Sequence, residues 1–163
     1  MSQGEFLAGI LNGNLEFLKN TLGDFSDADM LVRPVPGANH AAWQVGHLVV
    51  AENGMVNSCA PGAGGELPAG FAAKFSKETV SIDDPKFFPT KAELIAAFSK
   101  TRAATIAWVK SLTPADMEKP SGERIKRFAP TWGHLATTIP THVAMHVGQF
   151  QVIRRKLGKP ILF

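Results

Sequence analysis

Residues 131–157 read TWGHLATTIPTHVAMHVGQFQVIRRKL, and this segment decides the fold. Its apolar residues recur at spacings of three and four, which is the period of an amphipathic helix with one buried face. Pro140 lies inside the segment and predicts either a kink or a junction between two helices. Gly158 follows as the expected C-terminal stop. The predicted stripe consists of Trp132, Leu135, Ile139, Val143, His146, Phe150, Ile153 and Leu157.

Two histidines four residues apart are the strongest chemical signal in this helix. His142 and His146 are neighbours on a helical surface, with Cβ atoms about 5–6 Å apart, and both fall on or beside the apolar stripe. Two imidazoles in this arrangement can bind one metal ion, which would also offset the cost of burying them. The alternative is a pair of hydrogen-bonded core residues that bind no metal.

Three further segments have helical periodicity, at residues 3–22, 40–58 and 90–112. The first is predicted to bury a stripe that contains Phe6, Ile10, Phe17 and Leu18. The third begins with a capping box formed by Thr90 and Glu93.

The region between the second and third helices has no sustained period. Residues 61–89 contain the glycine-rich turn PGAGG and several prolines, so they predict a long loop of the kind that forms a lid or a pocket wall. No strand pattern rivals the four helices. The sequence therefore predicts an all-α fold, a four-helix bundle with a long crossover connection between the second and third helices. We expect one domain over residues 1–163.

A third histidine lies on the stripe of the second helix. His47 follows Trp43 by one helical turn, so it is expected to point toward the same interior as the pair in the last helix. Three histidines from two helices suit a metal site that keeps open positions for water or substrate. His40 and His134 are predicted to be non-ligands. Glu52 is predicted either to face the cavity as an acid or base or to be solvated.

Composition limits the class of protein. The chain has 163 residues, 45% apolar and 19% charged, which excludes a disordered protein. No apolar run approaches the roughly 20 residues of a membrane span, so no membrane partner is expected. The single cysteine, Cys59, excludes an internal disulfide and favours a cytoplasmic location. The net charge of +3 is concentrated in the second half, but without the interleaved aromatic residues of a single-strand binder, so no nucleic-acid partner is expected.

Two motifs carry a family resemblance that covers nearly the whole chain. Residues 39–53, NHAAWQVGHLVVAEN, contain a WxxGH core, and residues 141–160, THVAMHVGQFQVIRRKLGKP, contain HxxxHxGQ followed by RRxxG. Both segments resemble the corresponding helices of the DinB-like superfamily. ELPAGFAAKF at residues 66–75 and FPTKAEL at residues 88–94 resemble the middle segment of that superfamily.

The resemblance implies a four-helix bundle, often homodimeric, that holds a divalent metal ion by three side chains. Matched to this chain, the ligands are His47 from WxxGH, and His142 and His146 from HxxxHxGQ. Zinc and nickel are the usual metals. These are the three histidines that the helical pattern selects, so the resemblance favours the metal-binding alternative.

The resemblance also implies an activity. Some members are similar to thiol S-transferases or isomerases that use bacillithiol, mycothiol or glutathione, and some of these enzymes have a carboxylate where this chain has His142. A metal-dependent transferase or hydrolase is therefore expected, with the three-histidine site activating a low-molecular-weight thiol or water toward a small-molecule substrate. The alternative is a non-catalytic, stress-related metal-binding module. Gln149 is expected near the site or at a helix interface, and the basic residues 154–156 either meet the carboxylates of a peptidic thiol or favour the helix end.

Overall fold

The structure, a computed structural model, describes residues 1–162, and over these residues the fold is all-α with no β-strand. The helices are α1 (Gln3–Leu22), α2 (Ala41–Cys59), α3 (Lys91–Ser111), the single-turn α4 (Pro114–Met117) and α5 (Trp132–Lys156). Short 3₁₀ turns occur at Asp29–Leu31, Ala72–Phe75 and Lys77–Thr79.

Side chains cap the first turns of the long helices, although the cap of α2 is His40 and not Asn39, which its residue type favours. The capping box at Thr90 and Glu93 is present at the start of α3. At the start of α2 the cap is His40, whose Nδ1 accepts a hydrogen bond from the Trp43 backbone N–H at 3.1 Å. α5 continues through Pro140 as one helix, so the alternative of two separate helices is wrong.

The four long helices pack in a closed ring. α1 packs against α3 and α5, and α2 packs against the same two helices from the other side. The core that they enclose has two apolar clusters, one around Leu18, Phe98 and Phe150 and one around Leu11 and Ile139. His47, His142 and His146 lie on α2 and α5, which are direct neighbours in this ring.

The buried face of α1 differs in part from the predicted one: Leu18 is buried and Phe17 packs against the first cluster, but the other two predicted residues face outward. Phe6 and Ile10 are 55% and 40% exposed, whereas the leucines at positions 7, 11, 15, 18 and 22 are buried. Both stripes have helical spacing, so periodicity alone cannot choose between them. A close contact decides: a Cβ on Gly4 would lie 2.6 Å from the Val109 carbonyl oxygen, so this face of α1 must meet α3.

The long connection between α2 and α3, residues 60–90, packs back onto the bundle. Phe71, Phe75 and Phe88 are buried and join the first cluster. The ring of Phe75 fills the space beside Gly46, where a Cβ would lie 2.1 Å from a ring carbon. The glycine of WxxGH is therefore needed for packing, because any side chain would displace this aromatic ring.

Two buried arginines tie the helices together. Arg102 of α3 makes a bidentate ion pair with Glu52 of α2, at 2.8 and 2.7 Å, and donates to the Leu11 carbonyl of α1 at 2.8 Å. Both predictions for Glu52 are therefore wrong, since its carboxylate is 2% exposed and occupied by the guanidinium. Arg154 of α5 is likewise buried and paired, here with Asp24.

Candidate metal centre

Three histidines from two helices converge between α2 and α5, where His146 is buried and His47 and His142 are half-buried. One ring nitrogen each from His47, His142 and His146 lies within 4.8 Å of the others. The Nε2 atoms of His142 and His146 are 3.2 Å apart. Two nitrogens that each bind an ion at about 2.0–2.1 Å are separated by roughly 3.0–3.4 Å, so this pair already has the spacing of two ligands of one ion.

Gln44 determines which nitrogen of His146 is free. Its side-chain Nε2 donates to the Asn39 carbonyl oxygen at 2.6 Å, so its Oε1 faces His146 and can only accept. The Nδ1–H of His146 therefore donates to Gln44 Oε1, at 2.7 Å. This tautomer leaves the lone pair on Nε2, the nitrogen that faces His142.

Trp43 holds the ring of His47. The two rings are stacked with centroids 5.0 Å apart and an angle of 8° between their planes. The Trp43 indole N–H donates to Thr79 Oγ1 at 3.0 Å, and Thr79 belongs to the long connection after α2. The long connection thus supports the cluster indirectly, because Thr79 bonds to Trp43 and Trp43 stacks on His47.

Burial lowers the pKa of each imidazole in the cluster. The pKa of His146 falls to about 3 and that of His142 to about 4, because burial disfavours a charged ring and a positive charge on a neighbouring histidine adds repulsion. Burial also lowers the pKa of His47. All three rings are neutral near pH 7, which is the state in which imidazole binds a metal ion.

A pocket of about 750 Å³ opens beside His47 and His142. Its volume lies within the range of roughly 300–1,000 Å³ that is typical of small-molecule sites. α2 and α5 form two of its walls. The segment between α4 and α5 forms the third, with Arg124, Ile125 and Phe128.

The prediction that residues 61–89 wall a pocket is wrong for this pocket, because none of them lines it. The aromatic residues of that connection, Phe71, Phe75 and Phe88, turn inward and pack in the core. Phe75 of this connection packs against Gly46, which does not line the pocket.

The remaining candidates lie outside the cluster. His40 caps α2 and donates to the Ile82 carbonyl, and the exposed His134 bonds to the nearby Thr131, as expected of non-ligands. Gln149 is exposed and does not line the pocket, so the prediction that it packs at a helix interface is wrong within this chain. Arg154 is occupied by Asp24 and therefore does not serve as a recognition residue for a ligand's carboxylates.

Sequence reasoning missed Gln44 and Arg124. Gln44 lies three residues before His47, one turn away on the same helix, and a polar residue beside a buried stripe is a signal that it contacts another buried polar group. Arg124 lies in a segment without helical or strand periodicity, so the sequence does not predict which way its side chain points.

No helix of residues 1–162 is both long and apolar enough to cross a membrane.

Comparison with known proteins gives the family. No curated protein matches the chain in sequence. The profile of the DinB superfamily matches residues 14–150, a region that contains α2, the long connection, α3 and the three histidines. The chain belongs to the DinB superfamily.

Proposed function

We propose that this protein is a metal-dependent transferase or hydrolase whose His47, His142 and His146 hold one divalent ion. The observation that carries the proposal is that His47 and His142 line a pocket of small-molecule size while their nitrogens converge with that of His146. A purely structural metal site is normally closed by four protein ligands, whereas a three-ligand site beside a pocket has room for a substrate.

The donor set fits such an ion. Three neutral imidazoles suit zinc and nickel, and Gln44 supplies the outer-shell hydrogen bond that a metal-binding histidine usually makes. Three neutral ligands leave the full +2 charge on the ion. When bound, the metal would supply Lewis acidity, lowering the pKa of a thiol or water that it binds.

The chain's own residues would bind and orient the substrate. Met55, Phe128 and Met145 give the pocket apolar walls that exclude water from the apolar part of a ligand. Gln44 and Trp43 keep the imidazoles in place, so the site is preorganised before a substrate arrives. The closed ring of four long helices with its long α2–α3 connection supports the four-helix bundle with a crossover. The homodimer and the cytoplasmic location stay predictions.

The proposal is tested by following the loss of a thiol to an electrophile in the presence of zinc-loaded, nickel-loaded and chelator-treated protein. Cysteine and glutathione serve as thiols, a chlorodinitrobenzene as electrophile, and a nitrophenyl ester tests for hydrolysis. We expect turnover that requires metal and is lost in His142→Ala. A protein that binds one equivalent of metal but turns over neither thiol nor ester would favour the non-catalytic module.

A further inference from the structure

We propose that Arg124 makes the pocket beside the histidines selective for small organic anions with an apolar body. The inference rests on the proposed function only in taking the pocket as the substrate site. It concerns the residue that recognises the substrate and the chemical class that this residue selects.

The segment that carries Arg124 is a compact loop whose ends are tied together. The Ser121 N–H donates to the Pro130 carbonyl at 2.9 Å, and the Trp132 N–H donates to the Lys119 carbonyl at 3.0 Å. Such a surface loop with closely spaced ends is an Ω-loop, a form that often carries function. We call residues 119–132 the pocket loop.

Two buried residues anchor the pocket loop. Ile125 and Ala129 are 6% and 0% exposed and pack in the second apolar cluster. Arg124 and Phe128 precede these anchors by one residue each, and both line the pocket. The anchors therefore hold an arginine and a phenylalanine at the pocket rim.

Arg124 has a free positive charge. Of the other basic residues in the pocket loop, Lys119 pairs with Asp116, and Lys126 pairs with Glu123. Over residues 1–162, no ion pair or hydrogen bond engages the guanidinium of Arg124. No acidic residue lines the pocket, so nothing there neutralises this charge.

The hydroxyl groups in the pocket do not compete with Arg124 as donors. Ser58 donates to the Met55 carbonyl at 2.7 Å, Thr138 to the His134 carbonyl at 2.8 Å, and Thr141 to the Thr137 carbonyl at 2.9 Å. Their protons are thus used within the helices, and only acceptor lone pairs remain. Apart from the imidazoles, Arg124 is the side chain with free donors in the pocket.

These features together define the ligand. A planar guanidinium donates paired hydrogen bonds that match a carboxylate, sulfonate or phosphate. The rest of the lining is mostly apolar, with Val50, Met55, Phe128 and Met145, and suits an aliphatic or aromatic body. A ligand anchored by its anionic group at Arg124 lies with its body along the pocket toward His47 and His142.

Two fluorescent probes with the same aromatic skeleton test the inference. Anilinonaphthalene sulfonate carries one negative charge, and phenylnaphthylamine lacks the sulfonate. We expect the wild-type protein to prefer the anion. Arg124→Gln should weaken binding of the anion about tenfold, because a charge-assisted hydrogen bond is lost, and should leave the neutral probe within twofold.

The chain offers two matched controls. Arg127 lies in the same loop, is exposed and does not line the pocket, so Arg127→Gln changes the net charge equally and should leave both probes within twofold. Gly54 lines the pocket on the exposed side of α2, and a Cβ added there would meet no other atom within 4 Å, so Gly54→Phe should fold and fill the pocket. It should weaken both probes.

Each contrary outcome overturns the inference. Equal loss of both probes in Arg124→Gln would make Arg124 a packing residue, and equal loss of the anion in Arg127→Gln would mean general charge attraction. Unchanged binding of both probes in Gly54→Phe would show that the pocket is not their site. The titrations are run on zinc-loaded and on chelator-treated protein to separate the two proposals. If the protein binds no zinc but Arg124 still makes it prefer the anionic probe, only the proposed function is contradicted. If the protein binds one equivalent of zinc but Arg124→Gln does not change the preference for the anionic probe, only this inference is contradicted.

Discussion

Gln44 determines which ring nitrogen of His146 faces the other histidines. Gln44 has no exposed surface, and its amide is oriented by the Asn39 carbonyl, so it accepts from His146 Nδ1–H and leaves the lone pair of Nε2 free toward His142. Without this acceptor, the ring of His146 would lose both its orientation and its fixed tautomer. The arrangement of the three histidines therefore depends on a residue that is not one of them, and in the proposed metal site Gln44 would orient His146 without touching the ion.

Gln44→Leu should lower zinc affinity about 10–100-fold while all three histidines remain, since this is the usual effect of removing an outer-shell hydrogen bond. Competition with a chromophoric chelator measures the affinity. Gln149→Leu is the matched control, because Gln149 is exposed on α5, and it should change the affinity less than twofold. Equal affinities for wild type and Gln44→Leu would remove Gln44 from the site.

The structure around His40 predicts a pH dependence of stability that is separate from the three-histidine cluster. Burial lowers its pKa, and its Nδ1 must stay unprotonated to accept from the Trp43 N–H. Below about pH 6.5 the unfolded chain takes up a proton at this ring while the folded protein does not, so the free energy of unfolding decreases as pH falls.

His40→Asn keeps an N-cap acceptor and removes this titration. In chelator-treated protein, urea unfolding at about pH 7 and pH 5 should show a smaller decrease for the variant than for wild type. Identical decreases would mean that His40 is protonated equally in both states.

The three histidines could be predicted from sequence, whereas the buried ion pair of Glu52 could not. His47, His142 and His146 lie at helical spacing on apolar stripes, and that pattern alone directs them inward. Glu52 has the same helical periodicity but becomes an ion-pair partner of Arg102, fifty residues away. Such a pairing depends on how two helices meet, which local spacing does not encode.

At the scale of elements, α1 shows the limit of periodicity. Its sequence has two apolar stripes, and the helix buries the leucines because Gly4 allows the backbone to approach Val109. The boundaries of all four long helices were predicted to within about two residues, because capping residues and stop signals are local. Rotation about the helix axis is set by neighbours, and it was wrong for α1.

The long connection acts as a support for α2, and Thr79 is its contact with the site. Thr79→Val keeps the shape of the side chain but leaves the Trp43 indole N–H without a partner. We expect a loss of about 1–3 kcal/mol in the free energy of unfolding, because a buried donor is left unsatisfied, together with weaker zinc binding through His47.

Urea unfolding and chelator competition measure the two effects. Thr137→Val is the control, because the exposed Thr137 hydroxyl donates only within α5, to the His134 carbonyl. If Thr79→Val and Thr137→Val behaved alike, the connection would not support the site.

At the scale of the whole molecule, the buried ion pair joins three of the four long helices. Arg102 contacts Glu52 of α2 and the Leu11 carbonyl of α1, and its guanidinium lies 5.0 Å from the Phe98 ring of its own helix. Breaking a buried pair by removing one partner leaves an uncompensated charge. The ion pair and the hydrogen bond of Arg102 therefore fix the position of α2, the helix that carries His47, relative to α1 and α3.

Glu52→Leu should reduce the free energy of unfolding by about 3–5 kcal/mol, because Arg102 is left buried and unpaired. The double variant Glu52→Leu with Arg102→Met should recover a large part of the loss, since no charge is then buried. Glu123→Ala, which breaks an exposed pair with Lys126, should change stability by less than about 1 kcal/mol. A double variant no more stable than Glu52→Leu would contradict this view of the pair.

Metal content distinguishes a three-histidine metal site from three core histidines. Protein purified without a histidine tag is reloaded with zinc or nickel and analysed by elemental mass spectrometry, beside His47→Ala, His142→Ala, His146→Ala and the control His134→Ala. We predict close to one equivalent of metal in wild type and His134→Ala, and its loss in each of the other three. Folded wild-type protein that retains no metal would contradict the account, and the three histidines would then be core residues.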